Sequence, residues 1–132
     1  VTDSRRQRFA PYLRDLADRM RRRDWTIDLK DGVPTDPQAA ASIHLTYGRK
    51  LATIRVSDDF LDSTPETQRH YLVHELVHCH IDAAWMIAMD SIPQAVESAF
   101  KRMAEHAVDS LAETIAPLLP LPPIQKGGKS KR

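Results

Sequence analysis

Apolar side chains along this chain recur first at helical spacing, then on alternate residues, then at helical spacing again. Pro11 is placed to open a helix, and Leu13, Leu16, Ala17 and Met20 follow as one stripe, which predicts a helix to about Arg23. The period then shortens. Trp25, Ile27 and Leu29 alternate with Thr26 and Asp28 up to a turn at Asp31-Gly32, the pattern of a short strand. After a Pro-bearing loop, Val33 to Pro37, the residues Ile43, Leu45 and Tyr47 alternate with Ser42, His44 and Thr46. Gly48-Arg49 reverses the chain, and Ala52, Ile54 and Val56 complete a hairpin whose branched residues favour strands.

Ser63-Thr64-Pro65-Glu66 is a helix start: a hydroxyl caps free amides, Pro tolerates the first position and Glu suits the positive end. That second helix should run to about Met89. Asp90-Ser91-Ile92-Pro93 repeats the stop-and-restart chemistry, and Val96, Phe100, Met103, Ala107, Leu111 and Ile115 mark a third helix that Pro117 ends. The expected fold is α+β, with an N-terminal helix, a three-stranded sheet and two long antiparallel helices in one domain over residues 1–117. Residues 118–132, with Pro120, Pro122, Pro123 and a basic run from Lys126 to Arg132, should form a Pro-rich, flexible tail.

Composition narrows the partners. With 132 residues, 42% of them apolar, the chain fits one core, and 19 Lys+Arg against 18 Asp+Glu leave no basic field to attract nucleic acid. The arginines of the first helix, Arg14, Arg19, Arg21 and Arg22, are interleaved with Asp15 and Asp18, as on a solvated face. A lone cysteine, Cys79, allows no internal disulfide, and no charged-then-apolar leader is present, which favours a cytoplasmic setting. No apolar run approaches the roughly 20 residues of a membrane span, so no membrane partner is expected.

The chemistry concentrates in the second helix, at His74-Glu75-Leu76-Val77-His78. Histidines four apart differ by only about 40° around a helix, so both imidazoles can reach one Zn2+ ion, with Glu75 beside them as a general base. Zinc lowers the pKa of bound water toward about 7, and a neighbouring carboxylate can then relay the proton. Two ordinary helix histidines are the plain alternative. Leu72, Val73, Leu76, Val77 and Ile81 argue against it, because they bury the helix, and buried His, Glu and His without a partner would be costly.

A third ligand is required, and geometry selects it. In an antiparallel pair, residues equidistant from the Ser91-Ile92 turn face each other, which sets Glu105 opposite His78 and Asp109 opposite His74. Glu97 would lie roughly 12 Å nearer the turn at 1.5 Å per residue. Glu105 is therefore the expected ligand, and Asp109 the carboxylate that orients His74 through its second ring nitrogen. His80 lies about 200° from His78 and should not share the metal, and His70 finds no matching partner in the sequence. Tyr47, Tyr71, His44 and His106 are open alternatives for holding a developing oxyanion.

His74-Glu75-xx-His78 followed by Glu105-xxx-Asp109 resembles the gluzincin zinc metallopeptidases, the thermolysin-like clan, over about residues 40 to 115. The stretch Leu72-Val73-His74-Glu75-Leu76 also looks like SprT-type peptidases. The resemblance implies a small zincin-like domain with His74, His78 and Glu105 as metal ligands, Glu75 as base and Asp109 supporting His74. It implies peptide or protein substrates, paired as a strand with a sheet edge that Leu51 to Val56 or Ser42 to Tyr47 would offer. Metzincins would place Gly at 81 and His at 84, where this chain has Ile81 and Ala84. The large carboxy-terminal domain of thermolysin has no counterpart here. The expected function is therefore zinc-dependent peptide hydrolysis. The alternatives are a weakly active, zinc-stabilised binding module or a nucleic-acid-associated protein, and the sequence leaves the oligomeric state undetermined.

Overall fold

The computed structural model describes residues 3–46 and 48–123 and has an α+β architecture. Its elements are helices α1 (Ser4–Gln7) and α2 (Ala10–Arg19), strands β1 (Thr26–Leu29), β2 (Ala41–Thr46) and β3 (Leu51–Val56), then helices α3 (Asp58–Leu61), α4 (Pro65–Ser91) and α5 (Gln94–Ile115), with a 3-10 turn over Ala116–Leu118. Tyr47 and the basic run from Lys126 lie outside the described residues. No helix among those described is long and apolar enough to cross a membrane.

The three strands form one sheet in the order β1-β3-β2. β3 is central: it pairs antiparallel with β2, Ile43 opposite Ile54, and parallel with β1, Ile27 opposite Ala52. Its alternation is complete, with Ala52, Ile54 and Val56 turned into the core, as a strand covered on one face requires. Of the two strands expected to offer an open edge, Leu51–Val56 is therefore excluded because both its sides are paired. Among the described residues, β2 keeps a free edge. Gly48, with φ 76°, supplies the left-handed backbone at the β2–β3 reversal.

The core lies between the sheet and the inner faces of α2 and α4. Leu13 and Leu16 of α2 meet Ile54 and Val56, and Leu72, Val73, Leu76 and Val77 come from α4. Phe9 and Phe60 close one end edge to face, 5.1 Å between centroids. α2 stops at Arg19, about a turn before the expected Arg23. The Arg22 N–H donates to the Ala17 carbonyl and the Arg21 N–H to that of Asp18, with Arg21 at φ 65°. That is a Schellman ending in which an arginine takes the position glycine usually holds, so the sequence carried no stop signal.

α1 and α3 are too short to announce themselves by periodicity. α1 is fixed by Arg6, a buried guanidinium that pairs with Asp3 and Asp58 and donates from Nε to the Val56 carbonyl at 3.0 Å. α3 is capped by Ser57, whose hydroxyl accepts from the Phe60 N–H. The Arg19–Asp15 and Arg23–Asp18 pairs occupy the exposed face of α2 and its end, as expected of a solvated mixed-charge surface. Beyond residue 117 the chain is still anchored: Leu119 packs on the core, and the Tyr12 hydroxyl donates to the Pro120 carbonyl at 2.7 Å.

α4 begins as anticipated. The Thr64 hydroxyl accepts from the Thr67 N–H, Pro65 occupies the first turn, and Glu66 lies at the positive end. α5 starts differently, with Pro93 at the cap and no side chain closing the first turn, so Ser91 does not play the role Thr64 does. The two long helices run antiparallel, His78 meeting Glu105 near the turn and His70 meeting Asp109 further from it. The apolar stripe that located α5 is only partly the face it buries: Val108 and Ala112 turn inward, Phe100 meets Trp85 and Ile115 packs on the core, whereas Val96, Met103 and Leu111 are exposed.

Candidate metal centre

The apolar residues of α4 turn one side of the helix into the core, which leaves His70, His74 and His78 on successive turns of the side that meets α5. α5 answers with Glu105 and Asp109, again four apart. His74 Nε2 lies 3.2 Å from Glu105 Oε1, and His78 Nε2 lies 3.1 Å from Oε2 of the same carboxylate. His74 Nδ1 lies 3.3 Å from Asp109 Oδ1. The antiparallel arithmetic thus brings together all four side chains assigned to the metal and its surroundings.

The donor set fits zinc. His74, His78 and Glu105 offer ligand atoms that all lie within 4.8 Å of one another. Tetrahedral zinc, with bonds of about 2.0–2.2 Å, sets its ligands about 3.3 Å apart, close to the two N···O separations. Asp109 meets the second nitrogen of His74, the contact that fixes a ligating imidazole's tautomer and leaves the other lone pair free. The Asp109→Asn variant is therefore expected to bind zinc about 10–100-fold more weakly, measured by competition with a chromophoric chelator. Unchanged affinity would remove Asp109 from this role.

Glu75 is buried, with 7% of its surface exposed, on the same cavity wall as His74 and His78. Burial, reinforced by the negative charge of Glu105, pushes its carboxyl up to about 8. Burial also holds His78 below the ordinary imidazole range, chiefly by desolvation, with the Glu105 carboxylate acting in the opposite direction. Cys79, next in sequence, points into the protein, and its thiol is pushed up to about 12 by burial, so it is unreactive.

A cavity of about 550 Å³ opens over these groups, bounded by α4, Glu105 of α5 and strand β2 from Ala41 to Leu45. His44 lines it. Of the other oxyanion candidates, Tyr71 borders a separate depression beside Pro37 and Ser57, His106 is exposed and does not line the cavity, and Tyr47 is not described. His80 stands apart from the centre, its Nε2 2.8 Å from the Met20 carbonyl, as its position on the helix required.

His70, which the sequence left without a partner, has one in the fold, and Trp85, not singled out from the sequence, stands beside the same histidines. His70 Nε2 lies 3.1 Å from Asp109 Oδ1, the same oxygen that meets His74. The signal was present, since His70, His74 and His78 repeat the four-residue spacing, but it lies outside the five-residue motif. Trp85 walls the cavity, its ring 6.3 Å from His78 and 5.5 Å from Phe100. It is seven residues past His78, two turns along the same face, which the spacing alone could have revealed.

No family model, curated protein or solved structure matches the chain. The functional reading consequently rests on the geometry just described.

Proposed function

We propose that this chain is a zinc-dependent metallopeptidase that hydrolyses peptide bonds, with His74, His78 and Glu105 as metal ligands. The observation that carries the reading is the convergence of two imidazole nitrogens on one carboxylate, 3.2 and 3.1 Å away, beneath a cavity walled by a half-paired strand. Bound zinc would polarise the scissile carbonyl and acidify water. The remaining work falls to the chain itself.

An extended peptide can lie along β2, whose outer side has no strand partner, and hydrogen-bond its backbone there. Ile43, Ile81 and Trp85 would shield the reacting bond from bulk water. Glu75 takes a proton from the attacking water and hands it to the leaving nitrogen. Its raised affinity for a proton suits both transfers, and a cation held by its neighbours would bring its pKa down toward neutrality. His44, on β2 across the cavity, is placed to donate to the oxyanion that forms. The pattern His74-Glu75-xx-His78 with Glu105-xxx-Asp109 is similar to gluzincins, and a lone buried cysteine suits a cytoplasmic enzyme.

Incubating the zinc-loaded protein with a diverse peptide library and reading products by mass spectrometry tests the proposal. Cleavage that stops on adding chelator and returns with zinc is expected. Tight zinc binding with no product from any peptide would instead favour a zinc-stabilised binding module.

A further inference from the structure

α5 turns one face toward α4 and leaves most of the opposite face on the surface. Glu105 and Asp109 turn toward α4. On the other side, Val96, Met103, Ala107, Ser110 and Thr114 fall within about 60° of one another at 100° per residue, with Leu111 and Phe100 on one margin, where Phe100 is held by Trp85. No charged residue interrupts this stripe. Val96 and Leu111 are each 46% exposed and Met103 70%, and Met103 stands about two turns from each of them along the helix. The seam extends most of the length of a 22-residue helix, about 33 Å.

We infer that this seam docks on the same seam of a second copy, the two α5 helices crossing antiparallel about a two-fold axis at Ala107. The stripe is complementary to itself. A small residue stands at the centre, where helix axes approach most closely, and a large apolar residue stands one turn away on each side. Antiparallel pairing therefore sets Met103 against the partner subunit's Leu111, and Leu111 against the partner subunit's Met103. The charges agree with this direction. Arg102 and Glu113 lie on one flank of the stripe, on opposite sides of Ala107, both exposed and neither ion-paired among the described residues. Reversal of the partner brings Arg102 to the partner subunit's Glu113, twice over by symmetry. A parallel two-fold would instead place the two Arg102–Glu113 flanks on opposite sides of the seam, out of each other's reach. The metal centre opens on another side of the helix pair, so association leaves the cavity accessible.

Sedimentation velocity of the full chain tests this directly. A dimer with Kd of about 1–100 µM is expected, within the range of small reversible interfaces. Met103→Glu should raise Kd by at least about 30-fold by placing a charge in the seam, with the circular dichroism spectrum unchanged because Met103 touches solvent in the monomer. Arg102→Glu and Glu113→Arg should each raise Kd about 3–10-fold, and the double variant should restore it. Mild oxidation should cross-link Ala107→Cys, at the axis, but not Val96→Cys, which lies about 30 Å from its own symmetry mate. The wild-type chain, with its one cysteine buried, should remain uncross-linked. A monomer at about 1 mM, a dimer indifferent to Met103→Glu, or cross-linking of both cysteine variants alike would overturn the assignment.

Discussion

Glu75→Gln is expected to lower peptide hydrolysis by at least about 100-fold, and by as much as about 10,000-fold, while the protein keeps its zinc and becomes more stable when the metal is removed. The first effect follows from proton transfer: an amide can hold the same hydrogen bonds but cannot accept a proton from water and return it to nitrogen. The second follows from burial. In the folded chain Glu75 stays protonated until about pH 8, whereas its ordinary value is 4.5. Between those values the native state holds a proton that the unfolded state has released. Stability of the metal-free protein therefore falls as pH rises through this window, with a limiting slope of about 1.4 kcal/mol per pH unit from this group. Below the window both states are protonated and the stability is fully present; above it both are ionised and the loss is complete. Gln does not titrate, so the variant should lose this slope and be more stable than wild type at pH 8 by at most about 4 kcal/mol, the loss accumulated across the window. Urea melts of the chelator-treated proteins at pH 5 and pH 8 measure both. A variant that retains activity, or shows the wild-type pH slope, would contradict the assignment of Glu75 as a buried proton carrier.

A stability gain joined to a loss of turnover separates function from folding in a way that activity alone does not. A structural glutamate satisfied by hydrogen bonds would lose both on replacement. Glu75 instead faces a cavity, with desolvation and a like charge acting on it, and such groups persist in proteins where their chemistry is needed.

Much of this centre was legible in the chain because helices convert sequence spacing into position. Thr64-Pro65-Glu66 announced where α4 begins, and the four-residue spacing of His74 and His78 placed both on one side. The Ser91-Ile92 turn then fixed which residues of α5 stand opposite them, since both helices rise by the same 1.5 Å per residue. Strand order was not legible in the same way. Alternation tells which face of a strand is buried but not which strand lies beside it, so nothing in Ala52, Ile54 and Val56 revealed that β3 is central and β2 exposed at the edge. α5 was misleading for a related reason. Its apolar stripe gave the helix its period, and a stripe ordinarily marks the core. Here Glu105 and Asp109 turn inward beside Val108 and Ala112 to meet the histidines of α4, and Val96, Met103 and Leu111 of the stripe are left on the surface. The Schellman ending at Arg21 escaped because the conformation needs glycine's freedom but the residue is arginine. His70 was left without a partner because only the register of α5 brings Asp109 to it, and Trp85 lies two turns beyond the motif that marks the site.

Saturating zinc is expected to raise the unfolding free energy of the wild-type chain by about 4 kcal/mol at a thousandfold excess over Kd, and Glu105→Gln should abolish most of that increment. The magnitude follows from linkage, because the ligands converge only in the folded state: His74 and His78 come from one helix, but Glu105 comes from the next. In the unfolded chain 31 residues separate His74 from Glu105, and no preformed site exists. Glu105 would also supply the only negative charge among the three proposed ligands. Its conversion to a neutral amide removes a bond to zinc and most of the electrostatic attraction, while its half-exposed position lets Gln be accommodated without repacking. Thermal melts with and without zinc should thus show a large upward shift for wild type and a small one for Glu105→Gln, from nearly equal metal-free midpoints. The same measurement on Glu97→Gln provides the contrast, since Glu97 stands near the turn, paired with Lys101, and its replacement should leave the zinc-induced shift intact. Equal shifts in wild type and Glu105→Gln would mean that the carboxylate facing the two imidazoles is a hydrogen-bond partner and not a ligand, and the metallopeptidase reading would fall with it.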